Sequence, residues 1–149
     1  MKMLTILMVA VLLSAFVYAQ DKPAKTTIEV PAEFKGVSIG PIKKGQRITL
    51  KYLKGEISED VSRFPKSNPD DKKSSRDVGI ILAENVDGAR GLIQALPRGT
   101  GKHAFMYKFE KDYGDVVLMI AEDLTKPKNY ANNAGSAEFE MTLTPAPDK

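Results

Sequence analysis

Gln46-Arg-Ile-Thr-Leu-Lys-Tyr52 decides the fold class: Ile48, Leu50 and Tyr52 alternate with Arg47, Thr49 and Lys51. An apolar–polar period of two over this length is the pattern of a β-strand with one face buried and one wet. Ala137-Glu-Phe-Glu-Met-Thr-Leu-Thr144 repeats it, with Phe139, Met141 and Leu143 on the apolar side, and Phe105, Tyr107 and Phe109 alternate with Met106 and Lys108. The continuous apolar runs at 79–82, 91–96 and 116–120 suit strands buried on both faces. Residues 26–30 and 36–39 are weaker strand candidates, and no segment carries a capped stripe of helical period. Lys43-Lys-Gly45, Val86-Asp-Gly88, Arg98-Gly-Thr-Gly101 and Tyr113-Gly114 supply turn chemistry between the runs. About eight short strands with Gly-bearing turns predict an all-β protein: a single jelly-roll β-sandwich of antiparallel strands.

Residues 54–77 break this rhythm with Gly, Pro, Ser and charges, and read as one long loop that Phe64 can pin to the core. The N-terminus has a different character. Met1-Lys2 is followed by an almost wholly apolar stretch, and Val17-Tyr-Ala19 precedes Gln20 as a cleavable signal requires. The expectation is a signal peptide over 1–19, one domain over 20–149, and a secreted or periplasmic protein with no membrane attachment after cleavage. The chain has no Cys, so the domain folds without disulfides.

Composition excludes several functions. The formal net charge is +3, with 22 basic against 19 acidic residues, and the bases are interspersed with acids. No aromatic-interleaved basic stripe supports nucleic-acid binding. With one His (His103) and no Cys, Cys–His catalysis and His-rich zinc sites are ruled out, and no nucleophile or phosphate-cradling motif occurs. Carboxylate pairs occur at Glu59-Asp60, Asp70-Asp71 and Glu122-Asp123. Adjacent acids on loops are ordinarily solvated, and the chain is read as a non-enzyme. A glycoside hydrolase using Glu122 or Asp123 with an acid from the long loop ranks last among three readings.

The segment from Asp123 to Ser136 carries the functional signal. It reads Asp123-Leu-Thr-Lys-Pro-Lys-Asn-Tyr130-Ala-Asn132-Asn133-Ala-Gly135-Ser136 and runs directly into a strand. Oxygen-bearing side chains gathered at a Gly-terminated turn beside a carboxylate suit a hard cation such as calcium. With Leu118-Met-Ile-Ala-Glu before it and Phe139-Glu-Met after it, and together with Ile42-Lys-Lys-Gly45-Gln-Arg-Ile-Thr-Leu50, Leu53-Lys-Gly55-Glu-Ile and Gly91-Leu-Ile-Gln-Ala-Leu96, this segment resembles the bacterial calcium-dependent galactose-binding lectin family, whose fold is a galactose-binding-like jelly roll. The resemblance spans about residues 28–144. It implies that calcium is held by side-chain oxygens of Asp123, Asn132 and Asn133, by the carbonyl of Asn129 and by a carbonyl near Glu59. Gly135 would then permit the sharp exit into the last strand. The chain departs from the family where Glu122 replaces Asn, where Lys126, Pro127 and Lys128 lengthen the loop, and where the loop 54–77 lacks His, Gln and Trp. Any sugar contacts in that loop therefore fall to Arg63, Phe64, Asp70, Asp71 or Arg76. The leading expectation is a calcium-dependent, lectin-like carbohydrate-binding module with a glycan partner. The alternative is a non-catalytic envelope protein that contacts another exported protein without metal or sugar.

Overall fold

The computed structural model describes residues 23–69, 79–96 and 105–146. The expected signal peptide, His103, the turn at 98–101 and the candidate contacts Asp70, Asp71 and Arg76 lie outside the described residues. Among the described residues there are eight strands: β1 (Ala24–Pro31), β2 (Val37–Ile42), β3 (Arg47–Ser58), β4 (Ile80–Val86), β5 (Ala89–Ala95), β6 (Phe105–Lys108), β7 (Tyr113–Ile120) and β8 (Ala134–Thr144). One 3₁₀ helix, η1 (Pro127–Asn132), precedes β8.

The strands form two four-stranded sheets, ordered β1-β8-β3-β6 and β2-β7-β4-β5, and every pairing is antiparallel. The two orders correspond position for position. Every connection except the β4–β5 hairpin therefore crosses from one sheet to the other, which is jelly-roll connectivity. That hairpin turns on Asp87 and Gly88, with φ of 51° and 86°. A two-residue hairpin of this kind needs positive φ at both central positions, which Asp-Gly tolerates.

The alternation read from the sequence sets the core. Ile48, Leu50, Ala137 and Phe139 of the first sheet face inward, each 5 % exposed or less. Val116 to Ile120 of β7 are all buried, because β7 has a strand on each side and cover on both faces. Residues 79–83 match the expectation of two-sided burial. Residues 91–96 do not: β5 pairs with β4 alone, at the sheet edge, and Leu92 is 61 % exposed. A short apolar run marks a strand but does not say where in the sheet it lies.

Two further expectations are corrected. The sequence places a turn at Tyr113-Gly114, whereas both residues lie inside β7. The long loop does not begin at residue 54, because β3 continues to Ser58 and pairs with β8 down to Ser58↔Ala134. A register shift between Tyr52 and Lys54, followed by Gly55 at φ 106°, interrupts the alternation and hides the end of the strand. Beyond the shift Ile57 is fully buried and Ser58 is 1 % exposed.

Candidate functional site

The C-terminal ends of β3 and β7 come to the same end of the sandwich, and each leads into a loop that folds on itself. After β3 the chain doubles back to an isolated bridge between Ile57 and Ser67. The buried Ser58 holds this loop from inside: its Oγ donates to the Phe64 carbonyl at 2.9 Å and accepts from the Asp60 N–H at 3.2 Å. Asp60 closes the turn, its Oδ1 accepting from the Ser62 N–H at 3.1 Å and the Ser62 Oγ at 2.6 Å. Phe64 is half-buried, as the sequence suggested for an anchoring aromatic.

The second loop follows β7. Pro127, with its fixed φ and no N–H, opens η1 in place of the plain tight turn expected there. Tyr130 is the buried residue of this helix. Its ring packs edge-on against Phe34 with centroids 5.2 Å apart, and its hydroxyl donates to the Ile120 carbonyl at 3.3 Å. Burial, and after it the nearby Glu122 carboxylate, push this phenol up to about 12, with Asp123 and Glu59 contributing in the same direction. The two loops are joined by the Val61 N–H, which donates to the Asn132 carbonyl at 3.0 Å.

Between the loops lies an open cleft of about 690 Å³. Glu59, Asp60 and Arg63 line it from the first loop, and Glu122, Lys128, Asn129, Ala131 and Asn132 from the second. Of the residues singled out in the sequence, the fold brings Glu59, Asn129, Asn132 and Arg63 to this cleft. Asn133 adjoins it through Glu122, its Nδ2 donating to Glu122 Oε2 at 2.9 Å. A carboxylate accepts only, so this contact orients the amide and leaves Asn133 Oδ1 buried without a hydrogen-bond partner. A buried acceptor with no donor carries an uncompensated desolvation penalty, on the order of 1–3 kcal/mol.

Asp123 sits differently. Its Oδ1 accepts from the Thr125 N–H at 3.0 Å and the Thr125 Oγ at 2.6 Å, and its Oδ2 pairs with Lys126 Nζ at 2.8 Å. These contacts, with Lys126 foremost, hold the Asp123 carboxyl down to about 2, and Asp123 in turn raises the Lys126 ammonium above its ordinary value. Because the folded carboxyl titrates below the unfolded one, its contribution to stability is present above pH ~4 and is lost as pH falls through about 2. The Lys126 contribution is present below the ordinary lysine value and is lost as pH rises through the elevated one. Asp123→Asn is therefore expected to flatten the fall in denaturation midpoint between about pH 4 and pH 2. The same slope in mutant and wild type would show that the Asp123 contacts carry no such linkage.

Sequence reasoning missed Asp60 and Lys128 as lining residues and took Glu122 as a hydrolytic acid or as a departure from the family pattern, not as a lining residue. Neither sheet alternation nor turn chemistry says which side chains of two separate loops face one another. The donors gathered here are oxygens of two kinds, carboxylate and amide. Among the described residues, no group of three or more carboxylates converges on a single metal position. A cation in this cleft would accordingly rely on amide and carbonyl oxygens as well as on Glu59 and Glu122, a chemistry hard cations accept.

Gly135 has a role other than the expected turn exit. It lies within β8 at φ 95°, and a Cβ there would stand 2.0 Å from the Glu56 carbonyl oxygen. Gly55 mirrors it across the pair: its Cβ would lie 2.3 Å from the Ser136 carbonyl oxygen. The two glycines let β3 and β8 approach closely just below the cleft.

No protein-family profile and no curated protein matches the chain. Among solved structures it is similar to the EclA N-terminal domain, a PllA-like lectin, with a TM-score of 0.50 and 17 % identity. The match covers 79 % of this chain and 95 % of that one. At this identity the likeness is one of fold: the lectin domain and this chain share a β-sandwich.

Proposed function

We propose that the protein is a non-catalytic carbohydrate-binding module, lectin-like, with the cleft between the β3 and β7 loops as its binding site and calcium as its cofactor. The observation that carries this reading is the cleft itself. Its volume of about 690 Å³ falls in the range of small-molecule sites, roughly 300–1,000 Å³. Such sites are usually lined mainly by apolar side chains, whereas this lining is almost wholly polar or charged. That suits a ligand covered in hydroxyls. The jelly-roll topology shared with a lectin domain is in keeping with it, as fold-level analogy.

Calcium would be held by Glu59 and Glu122 with oxygens of Asn129, Asn132 and Asn133. The unpartnered Asn133 Oδ1 is the atom in this group that most needs a cation. Bound there, calcium would supply positive charge and open coordination positions for sugar hydroxyls. Asp123 can join only by exchanging Lys126 for the metal, and their ion pair is a solvent-exposed one that opposes the exchange weakly. The apolar leader in the sequence supports a secreted or periplasmic location, where calcium and glycans are both accessible.

Thermal unfolding in EDTA and in millimolar calcium tests the metal. A ligand that binds only the folded state raises its stability by about 2.7 kcal/mol at a hundredfold excess over the dissociation constant. The midpoint is expected to rise with calcium in the wild type and to stay flat in Glu122→Gln and Asn133→Ala. No rise in the wild type would remove calcium from the proposal and favour a protein partner in the envelope.

A further inference from the structure

Resting on the carbohydrate-binding reading, we propose that the cleft selects an acidic sugar, a uronic acid or other carboxylate-bearing residue, and that Arg63 and Lys128 read the carboxylate. Among the described residues, Lys126, Lys128 and Arg63 of the two loops differ in what they touch. Lys126 is engaged by Asp123 at 2.8 Å. Lys128 lines the cleft and makes no ion pair among the described residues. Arg63 lines it too, and its nearest carboxylate contact, Asp60 Oδ2, lies 4.0 Å from Nε, the outer limit of an ion pair.

The guanidinium is nonetheless positioned. It lies over the Phe64 ring at 5.4 Å, and the Phe64 carbonyl is tied to the buried Ser58. A stacked guanidinium keeps its planar fork of donors available for two parallel hydrogen bonds to a carboxylate. Its side chain is 72 % exposed, so a ligand in the cleft can reach it.

Charge sets the condition. Among the described residues the lining holds the carboxylates of Glu59, Asp60 and Glu122 against the cations Arg63 and Lys128, a net of one negative charge. Loading with a divalent cation reverses that to one net positive charge. An anionic sugar is repelled from the unloaded cleft and attracted to the loaded one, so the same site that discriminates acidic from neutral sugar also makes the preference metal-dependent.

The test is titration of the full chain, in millimolar calcium, with methyl uronosides beside their neutral parents in the gluco, galacto and manno series. Each pair differs only in a carboxylate against a hydroxymethyl group. At least one uronoside is expected to bind about tenfold more tightly than its parent, the worth of a charge-assisted hydrogen bond. In the Arg63→Gln/Lys128→Gln double variant that ratio should collapse toward one. Both side chains are exposed, so the variant retains its fold, which its unchanged melting curve would verify. Parents bound as tightly as uronosides would overturn the acidic preference and leave carbohydrate binding standing. Failure of every sugar in the panel to bind, in protein shown by melting to be folded, would overturn both.

Discussion

Gly135→Ala should destabilise the protein by about 3 kcal/mol or more, and in a domain of ordinary stability, about 5–15 kcal/mol, populate unfolded chain. Two effects add. The residue holds φ 95°, a conformation that disfavours any side chain by about 1–2 kcal/mol. The new Cβ would also meet the Glu56 carbonyl oxygen at 2.0 Å, and that atom is backbone in a paired strand. It has no rotamer to change, so relief means separating β3 from β8 at the Ile57↔Gly135 pair. Gly55→Ala should behave alike, since its Cβ would face the Ser136 carbonyl oxygen at 2.3 Å and the Ala137 Cα at 2.8 Å. Gly91→Ala is the control: nothing lies within 4 Å of its Cβ, and denaturant midpoints should barely move. Chemical denaturation of the three variants checks the account. Near-native stability of Gly135→Ala would mean that the two strands are not held as close as the structure places them.

Phe109→Ala is the second change with a large expected effect, about 3–5 kcal/mol in the same assay. Phe109 is fully buried. Its ring meets Tyr107 at 5.1 Å and Tyr113 at 5.7 Å, both edge to face, so one ring joins residues of β6 and β7, strands of different sheets. Its backbone closes the turn before β3, the N–H donating to the Gln46 carbonyl at 3.0 Å and the carbonyl accepting from the Gly45 N–H at 2.8 Å. Truncation leaves a cavity under strands whose backbone positions are set by these bonds, so collapse into the void is limited and the penalty stays near the top of the range. Met106→Ala, three residues earlier and 64 % exposed, should shift stability by no more than about 0.5 kcal/mol. If the two substitutions had similar effects, the alternation of inward and outward side chains over residues 105–109 would have to be reassigned.

Much of the architecture is legible in the residues because side-chain period is a local property. Ile48-Thr-Leu50 and Phe105-Met-Tyr107 alternate in the sequence as they do in burial. Asp87-Gly88 announces its hairpin through the two positive φ values it tolerates. Residues 116–120 read as a strand covered on both faces, and they are. The end of β3 was illegible for the same reason: a register shift after Tyr52 breaks the period that carries the signal. The edge position of β5 was illegible because pairing partners lie far away in the chain. At the site, Asn132 could be picked out as an oxygen donor because its amide chemistry belongs to the residue alone, whereas the carbonyls of Asn129 and near Glu59 were implied only by the lectin-family resemblance.

What the residues themselves determined is therefore the β class, the strands of clear alternation, the absence of disulfides and the oxygen-rich character of the segment before the last strand. The tertiary structure decided which of those oxygens share a space. It turned Asp123 toward Thr125 and Lys126, drew in Glu122, Asp60 and Lys128, and left Asn133 Oδ1 without a partner. It also gave Gly55 and Gly135 their purpose, because a glycine required by the close approach of another strand cannot be told in sequence from one required by a turn. Composition and period act over a few neighbouring residues. A site made by two loops more than fifty residues apart exists only once the sheets that carry them have paired.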